Sequence, residues 1–262
     1  HAVAAVAAIS QHVAEEALDL IDVQYELLQP VLTAEEALAD GAPALHDRLL
    51  TQSSVMFRVG GWGENENSSA SNLALRIVSQ EGDAEKAFSE SDVVVERKFR
   101  TSPVHQGYIE PQATTAFWNK DGKLTVWCST QQLFAFRDHI SAILDLPLGD
   151  VTVVPLEIGG GFGGKGQGGV YLEPVAAVLS KKSGVAVKIT MTRSEVFMGT
   201  GPTSGTLIEV KMGAKSDGKL TGVKARLTFE AGAFPGSPVG GGSRTMLGPY
   251  VIPNAYVEGL DV

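Results

Sequence analysis

From Gly159 to Gly169 the chain reads GGGFGGKGQGG, eight glycines in eleven residues. No other stretch constrains the fold as strongly. Glycine loses more chain entropy on ordering than any other residue, so a cluster this dense implies that backbone must come close to something bulky. The run before it, VTVVP (Val151–Pro155), has the β-branched composition of a buried strand. The segment after it, VYLEPVAAVLSKKSG, has helical periodicity, places Lys181 and Lys182 in its last turn and ends at Gly184. Strand, bare loop and helix in that order suit a phosphate, a dinucleotide or a larger cofactor.

The phosphate reading fails on chemistry. Gly159-x-x-x-x-Gly164-Lys165 matches a P-loop until the next position, which should offer a hydroxyl to magnesium and is Gly166. Gly166, Gly168 and Gly169 would also fill the first helical turn, each at a cost of about 1 kcal/mol relative to alanine. The dinucleotide reading is an alternative: Gly161-x-Gly163-x-x-Gly166 has the fingerprint spacing of an NAD(P)-binding oxidoreductase. It lacks the acid expected about 20 residues on to hold the ribose, although Arg193 could meet a 2′-phosphate. A third use of such loops is docking to another protein, which would make this a non-catalytic interaction domain.

Composition narrows the classes. A chain of 262 residues that is 44% apolar can bury a large core, and no run reaches the roughly 18 apolar residues of a membrane span. A net charge of −9 argues against nucleic acid as a partner. The single cysteine, Cys128, excludes an internal disulfide and a cysteine-cluster metal site, and it suits a reducing, cytoplasmic setting. The lack of a positively charged stretch before AVAAVAAI argues against a signal peptide, and with His1 in place of methionine a fragment of a longer protein is expected.

Along the chain, helices are predicted at Ser10–Ile21, after Thr33 (TAEEALADG), at Asp83–Ser91 and at Gln132–Leu146. Strands are predicted in DVQYELLQPVL (22–32), ended by Pro30, over DVVVERKFRT and over VAVKITMT. Two hairpins, TTAFW-NKDGK-LTVWCST and TLIEVKMGA-KSDGK-LTGVKARLTF, share the pentapeptide DGKLT, which good turn chemistry explains without duplication. Gly60–Ser71 is polar and aperiodic, expected as an internal boundary or a mobile segment, and PGSPVGGGSRTMLGPY reads as a second loop. The sum is an α+β fold of mixed sheets with packed helices.

GGGFGGK, an upstream STQ, YIEPQATTAFW, GDAEKAFSESDVVVERKFRT and YVIPNAYVEG together resemble the molybdopterin-binding large subunit of the xanthine dehydrogenase and aldehyde oxidase family. The resemblance runs through nearly the whole chain. It implies that residues 1–60 are the tail of an N-terminal α/β region. Residues 72–262 would be the first part of the molybdenum-cofactor-binding domain, incomplete at its C-terminus. It implies that the molybdenum–molybdopterin cofactor lies against Gly160, Gly161, Phe162 and Gly163. Gln131 would orient an oxo ligand, and no side chain would bind the metal directly. Bare backbone lets amide donors approach a bulky anion, Phe162 would close one side of the pocket, and Gln131 supplies a neutral donor of fixed reach.

The implied chemistry is hydroxylation of an aldehyde or nitrogen heterocycle. Electrons would leave through 2Fe-2S and FAD centres on partner subunits or domains, and the rest of the large subunit would be a further partner. Gly166 stands where purine-oxidising relatives carry glutamate, so a purine substrate is not expected. The general base would lie outside this chain, and the fragment alone should be inactive. Read without the resemblance, Lys165 is a solvated loop lysine, Glu110 anchors a strand end, and Cys128 is a small buried residue. His105 and His139 are structural, and Arg193 pairs locally with Glu195.

Overall fold

The computed structural model describes residues 3–49, 51–55, 70–166 and 171–262. The expected boundary at Gly60–Ser71 falls almost wholly outside them. Contacts divide the chain into two compact units: His1–Glu26 with His105–Pro202, and Leu27–Val104 with Thr203–Val262.

The first unit is built on a four-stranded sheet. Leaving aside α1 (Gln11–Leu18), capped by Ser10, its elements in chain order begin with β4 (Ala113–Trp118), β5 (Leu124–Cys128) and α4 (Leu133–Leu144). They continue with β6 (Val151–Pro155), α5 (Glu173–Ser183), β7 (Val187–Thr190) and α6 (Arg193–Gly199). The strand order is β6-β5-β4-β7, with β5 and β6 parallel and the other pairs antiparallel. Period-2 alternation sends Ala116, Leu124, Val126, Cys128, Val151 and Val153 to one face, where they meet Phe136 and Ile140 of α4 and Ala176 and Ala177 of α5. The two alanines let α5 lie close to β4, and Trp118 fixes that contact by donating its indole N–H to the carbonyl of Ala177 at 2.8 Å.

The second unit contains α2 (Ala34–Leu38), β1 (Gln52–Val55), β2 (Leu75–Glu81), α3 (Ala84–Ser89) and β3 (Val93–Thr101). It continues with β8 (Thr206–Ala214), β9 (Leu220–Phe229), α7 (Val239–Thr245) and β10 (Ala255–Asp261). Its sheet runs β1-β2-β10-β9-β8-β3. Ala225, Leu227 and Val257 form its core, against Ile208, Val210 and Phe229. Glu258 on β10 is nearly buried between Arg76 of β2 and Arg226 of β9, accepting from the Nε of each at 2.8 Å.

Both predicted hairpins form, in different sheets, with the same turn. Asp121 and Asp217 each accept the amide two residues on, at 3.2 and 3.0 Å, an Asx-type bond that closes the loop locally. The capping box at Thr33 and Glu36 also forms. Two local readings fail. Asp22–Leu32 has no regular structure, and Tyr25, Leu27 and Leu28 stay exposed, since among the described residues no strand offers that segment a ladder. The glycine-rich stretch near the C-terminus, expected as a loop, contains α7, because Val239 and Ser243, four residues apart, are buried on one face. No helix among the described residues is long and apolar enough to cross a membrane.

Candidate functional site

The parallel pairing of β5 with β6 decides where the site forms. Cys128 stands opposite Pro155, so the chain leaves both strands at the same edge of the sheet, and Leu156 extends the ladder by donating to the carbonyl of Cys128 at 3.1 Å. Carboxyl ends of parallel strands are where loops of α/β sheets gather to bind ligands. Here the Ser129–Gln132 loop faces the glycine loop. The segment Gln106–Gln112, which leads into β4, lies against both.

The glycine loop is a pair of tight turns. Gly164 donates to the carbonyl of Gly161 at 2.8 Å and Gly166 to that of Gly163 at 3.2 Å. Phe162 sits inside the first of them at φ 49°, a left-handed conformation that costs a side-chain-bearing residue about 1–2 kcal/mol. The residue is 75% exposed, so it takes no part in the core.

Gln131 holds this loop through its carboxamide oxygen, Oε1, which accepts the amides of Gly163 at 3.0 Å and Lys165 at 3.3 Å. The Gln131 backbone N–H donates to the carbonyl of Lys165 at 2.8 Å. Thr130 adds a second tie, its hydroxyl donating to the same carbonyl at 3.3 Å and accepting from Gln132 at 3.1 Å. Two backbone donors fix the flip of the carboxamide, so the NH2 end of Gln131 faces away from the loop and, among the described residues, has no partner. A side chain at Gly161 would destroy this fit: a Cβ there would lie 2.6 Å from Gln131 Oε1 and 2.8 Å from its Cδ.

The expected donors sort into two groups. The Gly163 amide, which the resemblance assigned to the cofactor, is already bonded to Gln131. The amides of Gly160, Gly161 and Phe162 have no partner among the described residues, and a Cβ at Gly163 would meet only open space. Free amides, an outward carboxamide N–H pair and an open face on a bare ribbon suit a large anionic ligand. Among the described residues no three His, Cys, Asp or Glu side chains are grouped to hold a metal ion. His105 is held to the hydroxyl of Thr200 at 2.9 Å and packs edge-on to Phe197.

Lys165 is not solvated. It is 1% exposed, and its Nζ reaches Glu110 Oε2 at 2.5 Å and Ser129 Oγ at 3.3 Å, with the Tyr108 ring centroid 5.2 Å away. A buried ammonium needs a counter-charge, and Glu110 supplies it. The same Glu110 oxygen accepts the Gly159 amide at 2.6 Å, and the Glu110 amide donates to the carbonyl of Gly159 at 3.2 Å. Partial burial alone would raise the Glu110 carboxyl. The bonds from Lys165 and Gly159 outweigh it and hold the group below the usual carboxylate range. Beneath lie Tyr108, whose hydroxyl is 3.3 Å from that of Thr200, and Gln112, which donates to the same phenol. A buried lysine calls for an acid, but with 30 acids in the chain the sequence alone does not say which.

Arg193 does not pair with Glu195. It caps the carbonyl of Ile109 and lies over Phe197, while Glu195 completes a capping box with Thr192 at the start of α6. Cys128 is buried as expected, and burial first, then the nearby Glu173, push its thiol up to about 12, so it is inert.

The dinucleotide alternative finds no support in the topology. A fingerprint loop joins two neighbouring parallel strands of one βαβ unit, whereas β6 and β7, the strands on either side of this loop and α5, occupy opposite edges of the sheet with β5 and β4 between them.

A model of the molybdopterin cofactor-binding domain matches residues 66–262. The probable hypoxanthine oxidase XdhD of Escherichia coli O157:H7 is 34% identical over 254 residues, which take in 89% of this chain and 25% of that protein. The nicotinate dehydrogenase large molybdopterin subunit of Eubacterium barkeri is 30% identical over 260 residues, 98% of this chain and 56% of that protein. The chain thus spans about a quarter to somewhat over half the length of these relatives. Quinoline 2-oxidoreductase from Pseudomonas putida 86 shares the fold, with a TM-score of 0.78 at 24% identity over 96% of this chain and 30% of that one. The bare ribbon, its outward donors and a match across three quarters of the length lead to one assignment: this chain belongs to the molybdopterin cofactor-binding domain family.

Proposed function

We propose that the protein carrying this chain is a cytoplasmic molybdenum hydroxylase large subunit acting on an aldehyde or nitrogen heterocycle, with Gln131 and the Gly159–Lys165 loop forming one wall of its cofactor site. The observation that carries this is the orientation of Gln131: its oxygen is committed to the Gly163 and Lys165 amides, leaving two N–H donors directed away from the loop. When bound, molybdopterin would supply the redox-active metal at which substrate is hydroxylated.

The chain's own residues have distinct parts to play. The unpartnered amides of Gly160, Gly161 and Phe162 would donate to the anionic group. The absence of a Cβ at Gly163 leaves room for it, and Gln131 Nε2 would donate a neutral hydrogen bond that orients without adding charge. The exposed ring of Phe162 would screen the bound group from water. In the same reading residues 72–262 are the first part of the cofactor-binding domain, and iron–sulfur and flavin partners accept the electrons. That relatives bear subunit names, such as the nicotinate dehydrogenase large molybdopterin subunit, supports a multi-component enzyme.

Elemental analysis and electron paramagnetic resonance of the active protein test this. Stoichiometric molybdenum is expected, with a Mo(V) signal that changes in Gln131→Ala. Turnover by protein free of molybdenum refutes the assignment.

A further inference from the structure

Gly159 and Lys165 are the first and last residues of the GGGFGGK ribbon, and one oxygen, Oε2 of Glu110, accepts from both, at 2.6 and 2.5 Å. We propose that Glu110 is a positioning residue: by joining the two ends of the ribbon it keeps the Gly163 and Lys165 amides where they grip Gln131, and so aims the Gln131 N–H donors. This rests on the reading of the ribbon as the molybdopterin wall.

Three observations carry the inference beyond ordinary ion pairing. Lys165 is buried with a hydroxyl and an aromatic ring as its other neighbours, so among the described residues Glu110 is its sole counter-charge. The bond from Gly159 lands on the same oxygen as the ammonium, so a shift at one end is felt at the other. The backbone of Lys165 itself contacts Gln131 twice, as donor to Oε1 and as acceptor from the Gln131 amide, which makes Lys165 the link between the carboxylate and the carboxamide. A loop with three consecutive glycines has little stiffness of its own, so its shape depends on such ties.

The test compares Glu110→Gln, Lys165→Met, their double variant and Gln131→Ala in the protein that carries this chain. Glu110→Gln leaves a buried ammonium without its counter-charge and Lys165→Met leaves a partly buried carboxylate without its ammonium, so both should lower the melting temperature, the first by more. The double variant removes both charges and should recover most of that loss. Positioning predicts that the double variant nonetheless keeps a kcat lower by about 10-fold or more with KM changed less than about 3-fold. Its Mo(V) signal should shift in the same sense as that of Gln131→Ala, and exchange of the Gly163 and Lys165 amides in cofactor-free protein should speed up by about 10-fold.

A double variant with wild-type kcat, signal and amide exchange, while Gln131→Ala alters the signal, overturns the role of Glu110 and leaves the site assignment standing. Gln131→Ala with an unchanged Mo(V) signal sinks the site assignment itself, whatever the Glu110 variants do. If the single variants fail to fold, the double variant still decides.

Discussion

Replacing Gly161 by alanine should break the grip between the ribbon and Gln131. The backbone at this position tolerates a side chain, so the effect is steric: the new methyl would lie 2.6 Å from Gln131 Oε1, 2.8 Å from Cδ and 3.2 Å from Cγ. These distances are well inside van der Waals contact, and relief requires the carboxamide to move by roughly 0.8 Å. That lengthens the bonds from the Gly163 and Lys165 amides, now 3.0 and 3.3 Å, past useful range. Two net hydrogen bonds at about 1 kcal/mol each give a loss of about 2 kcal/mol. Reduced freedom of the unfolded chain returns about 0.4–1 kcal/mol, leaving a net destabilisation of about 1–1.5 kcal/mol.

The decisive assay is a double-mutant cycle by equilibrium denaturation. In Gln131→Ala all three clashing atoms are gone, so adding Gly161→Ala there should be neutral or slightly stabilising, a coupling of about 2 kcal/mol. Equal costs of Gly161→Ala in both backgrounds would show that the methyl strikes something else and refute the reasoning.

Two carboxylates should respond to pH in opposite ways. Burial raises Glu173 from 4.5 to about 6, partly offset by backbone donors at the start of α5. Its contribution to stability is therefore full below 4.5 and lost as pH rises through 6. Denaturation of Glu173→Gln should show the variant gaining about 2 kcal/mol on wild type between pH 4.5 and pH 7, and a constant difference contradicts it. Burial would also raise Glu258, but the bonds from Arg76 and Arg226 prevail and hold it low. Its contribution is present above its ordinary range and lost as pH falls through its depressed value. Glu258→Gln should cost about 1–3 kcal/mol at neutral pH, with the gap from wild type closing in acid; a gap that persists there counts against the pair of arginines as the cause.

What could be read from the chain was local or periodic. The two Asp-Gly hairpins, the capping boxed helix after Thr33, the amphipathic α4 and the αL end of α5 at Gly184 depend on residues within a few positions of one another. For that reason they are legible without a structure. The ribbon was legible too, because so many missing side chains mark a place of tight turns and close backbone approach, and Gln131 followed from its place in a resemblance. The strand expected at Asp22–Leu32 and the loop that became α7 were misread because pairing and burial are supplied by distant segments.

The character of Lys165 shows the same division at the site. As a local pattern, Gly-Lys-Gly in a loop is indistinguishable from a solvated lysine. Parallel pairing of β5 with β6 brings residues about thirty positions apart to one edge of the sheet, and the segment before β4 then delivers Glu110 to the ammonium. The sequence by itself determined most of the elements and the bare ribbon, since those follow from propensity and from missing side chains, whereas the class of group the ribbon holds was implied by the family resemblance. Only the tertiary structure decided that the Gln131 oxygen is committed to the ribbon, with its N–H pair facing away, and that one carboxylate joins the ribbon's ends, since hydrogen-bond partners and burial depend on what the fold places in contact.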